Sequence, residues 1–325
     1  MITRRTFFSA AGVAAINSSS AAFAQPAARR IGFLSLGSAV ENATRIDALR
    51  AGLRDSGYVE GRNLIVEYRW ADGKAPRLPE LAADLVKLDV EIIVTHGPPG
   101  IRAARQASSS IPIVIAAVGD VLAGGFVASL SRPGGNMTGM SFFSPQLAAK
   151  RLELLREALP RATQAGVLLN PDNPVNASAF EAVAATAKSL KLDVKPFYAR
   201  SREDFDNAFL AMKAARLGTV TLIDDPMLNS HLAPLAELAA KHRMASLGGA
   251  EFPDAGGWLG YGASIPGLFR RSAYFVDRIL KGAKPADLPI EQPTKFELNI
   301  NQKIARELGL TVPSSLLLRA DKVIE

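Results

Sequence analysis

Short runs of β-branched and aliphatic residues alternate along this chain with stretches whose apolar residues recur every three or four positions. That alternation limits the fold more than any other feature. Strands separated by helices pair in parallel, because the helix carries the chain back along the sheet before the next strand begins. The predicted strands of the first half are Ile31 to Leu36, Leu64 to Trp70, Glu91 to His96 and Ile111 to Val118. Between them Ile46, Leu49 and Leu53, then Leu78, Leu81, Leu85 and Leu88, fall on single helix faces. The second half repeats the scheme, with strands at Ala165 to Leu169, Leu192 to Tyr198, Thr219 to Ile223, Met244 to Leu247 and Trp258 to Tyr261. Its helices are predicted to start near Pro174, Arg202, Asn229 and Pro266. The fold class is therefore α/β, two similar units in series, with the turn-rich Ser131-Arg132-Pro133-Gly134-Gly135-Asn136 between them.

With 325 residues, 48% of them hydrophobic, the chain is long enough for about two domains, each with its own core. Residues 1–24 read as an export leader: Arg4-Arg5 precede an apolar run, and Ala22-Phe23-Ala24 is a small-x-small cleavage site, so the mature chain is expected to begin at Gln25. The paired arginines fit a twin-arginine signal, and the same positive region also serves a Sec signal. Asn17 and the serines around it make the run too short and polar to span a bilayer, so no membrane insertion is expected after cleavage. Cysteine is absent, which excludes disulfides, thiolate metal sites and a lipid-modified N-terminus, and the expected location is the periplasm. The net charge of +7 is spread; Arg29-Arg30 and Arg270-Arg271 are its densest spots, too short for a nucleic-acid patch.

Parallel sheets bind ligands beyond the carboxyl ends of their strands. The segments to inspect are thus Ser35 to Ser38, Thr95 to Gly100, Gly119-Asp120, Asn170 to Asn173, Asp224 to Pro226 and Tyr261 to Ser264. Turn chemistry alone accounts for the composition of any one of them; six spread over two lobes favour a shared cleft.

Several of these residues belong to a longer pattern. Ile111-Pro112-Ile113-Val114, Gly119-Asp120, Gly124-Gly125-Phe126-Val127 and the run Ser129 to Asn136 with Thr138-Gly139 closely resemble the signature of substrate-binding proteins of bacterial ABC importers. The group is the one that includes tryptophan- and other aromatic amino acid-binding proteins. Leu168 to Pro171, Tyr261-Gly262, Leu280-Lys281-Gly282 with Pro285 and Leu288-Pro289, and Glu297 to Asn301 with Ala305 and Leu308-Gly309-Leu310, match later landmarks. The resemblance covers about Ile31 to Pro313. It implies a type I periplasmic-binding-protein fold, two parallel-sheet lobes hinged around a cleft, crossed near Ser141, Ser264 and Glu291. The implied domains are residues 29–140 with about 265–290, residues 141–264 with about 291–313, and a tail at 314–325. The implied partners are a small-molecule ligand and an inner-membrane permease with its cytoplasmic ATPase.

The loops depart from the family pattern. Pro98 stands where relatives have threonine, Gly119 and Val121 flank Asp120 where they have Thr-Asp-Pro, Asp224-Asp225-Pro226 replaces Thr-Asp-Asn, and Ser264 replaces an aspartate. A different small ligand, an amino acid or another small carboxylate, is expected. Its carboxylate would sit against the backbone N–H groups at the helix starts after Ser35 to Ser38 and after Gly97 to Gly100, with Ser35, Ser38, Thr95 and Gly97 among the candidate ligand-binding residues. An ammonium would seek Asp120 or Asp225, which could equally cap the helices that follow. Asn170 and Asn173 match the pattern in the second lobe; Tyr261 could stack on a ring or pack, and His96 could reach the cleft or be structural. His231 and His242 are read as surface or core residues.

No G-x-S-x-G elbow, H-E-x-x-H helix, Walker loop or G-x-G-x-x-G after a strand occurs, so no catalytic residue, metal or cofactor is expected. An exported enzyme is the weaker alternative. A periplasmic sensing subunit shares the fold and stays open beside transport.

Overall fold

The computed structural model describes residues 28–325; the leader at residues 1–24 and the cleavage point at Gln25 lie outside the described residues. The first lobe runs through β1 (Arg29–Ser35), α1 (Ala43–Asp55), β2 (Leu64–Trp70), α2 (Leu78–Lys87), β3 (Ile92–His96), α3 (Gly97–Ala107), β4 (Ile113–Ala117) and β5 (Met137–Gly139). Its five-stranded sheet is parallel throughout, in the order β2-β1-β3-β4-β5. Side chains alternate across each strand, so Phe33, Val94 and Val114 enter one core layer and Leu34, Ile93 and Ile115 the other. Both faces are covered, which is why β4 is a continuous apolar run and β3 is apolar from Ile92 to Val94, ahead of Thr95 and His96 at its carboxyl end.

The second lobe contains α4 (Ser144–Ala158), β6 (Gln164–Leu169), α5 (Pro174–Ser189), β7 (Asp193–Tyr198), α6 (Phe205–Ala214), β8 (Thr219–Leu222), α7 (Pro226–Asn229), α8 (Leu232–Lys241), β9 (Ala245–Gly248) and β10 (Leu259–Gly262). After β10 the helix α9 (Ile265–Leu280) leaves this sheet and lies along α1. Leu268, Phe269, Ala273 and Val276 on α9 share one core with Leu49 and Leu53 on α1. The two helices meet at Gly52, where a Cβ would run into the carbonyl oxygen of Arg270 and the Ala273 side chain. The chain then re-enters the second lobe as β11 (Glu297–Asn301), α10 (Gln302–Leu308), α11 (Ser314–Leu317) and β12 (Lys322–Ile324). That sheet has seven strands, β12-β11-β10-β9-β8-β6-β7, parallel except where β11 meets β10.

Two passages between the lobes run side by side. Met140 bridges Glu291, the Ser141 amide donates to the Glu291 carbonyl at 2.9 Å, and the Glu291 amide donates to Gly139 at 2.9 Å. The third passage ends at Ser264, whose Oγ accepts from the Gly267 amide at 3.2 Å and starts α9.

Three elements differ from the sequence expectation. The turn Ser131 to Asn136 lies inside the first lobe, leading into β5, because three further residues pair with β4 before the chain crosses. Residues 314–325, expected as a tail, form α11 and β12; Leu316 is buried and the Asp321 carboxylate accepts from the Leu298 amide at 3.0 Å. The helix expected near Asn229 is two pieces, α7 and α8, divided at Ser230-His231. No helix among the described residues is long and apolar enough to cross a membrane.

The tight contact at Gly52 generates a test. Gly52→Ala forces α1 and α9 apart and should destabilise by about 1–3 kcal/mol, against a gain in helix propensity of at most about 1 kcal/mol. Gly218→Ala, where a Cβ meets nothing within 4 Å, should leave the denaturation midpoint nearly unchanged. Guanidinium titrations of both variants separate packing from backbone effects.

Candidate functional site

The carboxyl ends of β3, β4, β6 and β8 point toward one another across the gap between the lobes, and a small chamber of about 40 Å³ lies there. On the first-lobe side it is walled by Arg45, His96, Pro98 and Val118; on the second-lobe side by Asn173, Val175, Asp225 and Pro226. Phe142 from a crossing segment and Ile265 from the start of α9 complete the apolar part. A second hollow of about 340 Å³ shares Asn173, Asp225 and Pro226 and is rimmed by the exposed Ala75, Pro79, Gln106 and Arg200, so it forms the mouth of the same cleft.

The lobes touch around the chamber. Arg45 Nη2 donates to the Asn229 carbonyl at 3.3 Å, and His231 Nε2 stands 3.8 Å from Glu41 Oε1. Gly97, at φ +66°, abuts Pro226 so closely that a Cβ would collide with the ring. Glycine is therefore required there both by the left-handed backbone and by the facing lobe.

Burial sets the charge states. His96 is buried; its Nε2 pairs with Ser35 Oγ at 3.0 Å, and desolvation, helped by the nearby Arg45 charge, lowers its pKa to about 3. The ring is neutral at any physiological pH. Asp225 caps α7: Oδ1 accepts from the Met227 and Leu228 amides at 2.8 and 3.3 Å, and Oδ2 from Asn173 and Asn176 at 2.8 and 3.5 Å. Burial nevertheless pushes its carboxyl up, against those hydrogen bonds. Asp224 lies against Arg151, with Nη1 at 2.9 Å and Nη2 at 3.1 Å, and both side chains are almost wholly buried. Arg151 also donates from Nε to the Tyr261 carbonyl at 2.7 Å and from Nη1 to Leu222 at 3.3 Å. The guanidinium thus ties α4 to the ends of β8 and β10. Burial raises Glu251, whose Oε1 accepts the Ile265 amide at 2.7 Å, and depresses Arg45 although Glu251 and Glu41 pull the other way.

Of the residues singled out from sequence, the structure brings His96, Gly97, Asn173 and Asp225 to the chamber wall, and Asn170 to the outer hollow. Ser35 stands behind His96, accepting from the Gly37 amide at 3.1 Å and Asn42 Nδ2 at 3.1 Å. Ser38 closes the turn before α1, its amide donating to Glu41 at 2.7 Å. Thr95 donates to the Leu34 carbonyl at 3.0 Å inside the sheet. Asp120 is a turn cap, with Oδ1 accepting from the Leu122 and Ala123 amides at 2.9 Å each; it lines neither hollow. Tyr261 packs beside Phe296 between the two cores and offers its carbonyl, not its ring, to the site region.

Arg45, Arg151, Glu251 and Phe142 were not anticipated. Arg151 carried a signal: with Leu147, Ala148, Leu152 and Leu155 it lies on the buried stripe of α4, where a charge requires a partner. Arg45 flanks the apolar face of α1 and carried none.

Comparison with known proteins places this geometry. The model of the family "ABC transporter substrate binding protein" matches residues 39–324. A tyrosine-binding protein of Clostridioides difficile is 23% identical over 259 residues, 79% of this chain and 74% of the relative. A conserved domain protein from Vibrio cholerae superposes with a TM-score of 0.85 at 26% identity, over 91% of this chain and 99% of that one. An ABC domain from Streptococcus pneumonia in complex with L-Trp gives 0.85 at 24% identity, over 92% and 100%. A ligand-free, open substrate binding protein from Clostridium difficile gives 0.66 at 22%, over 91% and 99%.

Two outcomes are expected. Arg151→Met strands a buried carboxylate and should cost about 3–5 kcal/mol in chemical denaturation, while Arg151→Met with Asp224→Leu recovers most of it. His96 is held neutral in the folded state, so the unfolded chain takes up the proton first, and stability falls as pH drops from the unfolded value near 6.5 toward about 3. Between pH 7 and pH 5 the native protein should therefore lose about 2 kcal/mol more than His96→Gln, read from denaturation curves at the two pH values.

Proposed function

Because the chain belongs to the family of ABC transporter substrate binding proteins, we propose that it works in the periplasm as the solute-binding component of an importer. It takes up a small ligand, an amino acid or another small carboxylate, and delivers it to an inner-membrane permease driven by a cytoplasmic ATPase. The observation that carries this reading is the chamber at the facing strand ends, with Arg45, His96 and Pro98 contributed by one lobe and Asn173, Val175 and Asp225 by the other. A ligand there touches both lobes at once, so its affinity is higher for the closed arrangement, and it shifts the population by that difference. The permease reads the closed shape. The tyrosine-binding relative makes aromatic amino acids the first candidates to examine. The proposed role is binding without chemistry, so the ligand leaves as it entered.

The reading is tested by thermal-shift screening of amino acids and small carboxylates. A ligand supplied at 100 times its Kd should add about 2.7 kcal/mol of stability. Mass spectrometry after prolonged incubation should return the ligand unchanged; a product would replace the binding role with an enzymatic one.

A further inference from the structure

We infer that His96 is a fixed hydrogen-bond donor to the ligand: its proton sits on Nδ1, at the chamber, and binds an oxygen of the ligand's carboxylate. The inference rests on the solute-binding reading above and assigns a residue that meets the carboxylate.

The tautomer follows from counting hydrogens along one chain of bonds. Arg45 has donors only, so the 3.3 Å bond from its Nη1 identifies the facing Asn42 atom as the carbonyl oxygen Oδ1. Asn42 Nδ2 then donates twice, to the Ser38 carbonyl at 2.8 Å and to Ser35 Oγ at 3.1 Å. Ser35 Oγ also accepts from the Gly37 amide at 3.1 Å, which fills both of its lone pairs. Its single proton has one partner left, His96 Nε2 at 3.0 Å. Nε2 is therefore an acceptor, and the ring, which burial keeps uncharged, carries its proton on Nδ1.

Turning the ring over does not exchange these roles. A half-turn would bring a carbon to Ser35 and leave the buried hydroxyl proton without an acceptor. Phe33 stacks on the imidazole at 6.3 Å and Phe269 meets it edge-on at 5.3 Å, so aromatic neighbours hold its plane. The strand sets the aim. The register of β3 against β4 slips at this point, Thr95 facing Ile115 and His96 facing Ala117, an irregularity of the kind that redirects a side chain at a strand end. Nδ1 has no partner among the described residues, and unlike Nδ1 of His242 it is not a sealed polar atom. Since the ring lines the chamber, this N–H opens onto it.

Size and charge agree with a carboxylate there. A water needs about 10–15 Å³, so the chamber of about 40 Å³ has room for a head group of that kind. The rest of the ligand lies in the outer hollow of about 340 Å³, which is joined to the chamber at Asn173, Asp225 and Pro226. On the first-lobe wall the His96 N–H stands with the Arg45 guanidinium, so that side offers donors. Asp225 on the facing wall bonds only neutral groups among the described residues, which leaves its side suited to a cation. The walls are thus polarised, with oxygen expected toward the first lobe and any ammonium toward the second.

Isotope-labelled histidine reads the tautomer directly. Of the three histidines, His96 is identified by its contacts to Phe33 and Phe269. Long-range proton–nitrogen spectra of the ligand-free native protein at neutral pH should show its Nδ1 protonated and its Nε2 bare; the reverse pattern overturns the inference. Acetate and glycine share a carboxylate and differ by the ammonium. At least one of them should move the Nδ1 proton downfield, and methylammonium should not. If neither carboxylate moves it, or methylammonium moves it as far, the inference is overturned, while the thermal-shift screen reports separately on solute binding. Amide shifts of Gly97 and Asn173 give the affinity for the same probes in two variants. His96→Gln reaches Ser35 and leaves no donor where Nδ1 stood, so it should weaken the carboxylate about 10- to 100-fold. His96→Asn, whose Nδ2 takes the place of Nδ1, should retain most of the affinity. Unchanged affinity in His96→Gln, or an equal loss in both variants, overturns the inference.

Discussion

The hydrogen-bonded passage of Met140 and Ser141 beside Glu291 is the constraint on which the rest of the molecule depends. Each lobe must be closed by chain that has already visited the other, and these two segments hold the exchange in register. Arg271 on α9 reinforces it with a bidentate pair to Glu291 at 2.7 and 2.8 Å, which fixes the returning helix to the crossing itself. Exposed pairs of this kind add little energy alone, so the role is geometric: the pair fixes α9 to the crossing.

Charge is distributed in the cleft so that most of it is structural. Arg151 and Asp224 cancel each other, and the pair links three elements of the second lobe at the chamber edge. Asp225 holds the first turn of α7, and His96 sits on the Ser35-Asn42 network. Preorganised walls of this type cost stability, because the groups are buried and partly desolvated, and they remove the reorganisation that binding would otherwise require. Arg45 joins the His96 network through Asn42 Oδ1 at 3.3 Å and reaches the opposite lobe at the Asn229 carbonyl.

The α/β alternation was legible because strands covered on both faces leave long apolar runs, as in Ile92 to Val94 and Ile113 to Ala117. The strand-end rule found His96, Gly97, Asn173 and Asp225, since it depends on topology alone. It could not tell which side of a loop faces the cleft. Ser38, Thr95 and Asp120 lie on the right loops, and their side chains bond backbone groups: Ser38 Oγ accepts from the Glu41 amide, Thr95 donates to the Leu34 carbonyl and Asp120 accepts from the Leu122 amide. Arg45 was missed because its importance comes from the opposing lobe, which no local pattern encodes. The strand β12 was missed because three half-exposed residues have no periodicity; they are a strand only because β11 offers an edge.

The return of α9 to α1 has a consequence for the order of synthesis. The apolar side of the first sheet that carries Phe33 and Val94 is sealed by residues some two hundred positions downstream, and the second sheet lacks an edge until Lys322–Ile324 exist. At roughly 5–20 residues per second, a ribosome would leave that face bare for on the order of ten seconds or longer. Neither lobe can finish while the chain is being made, so folding is completed only once the strand Lys322–Ile324 has left the ribosome and taken its place beside β11.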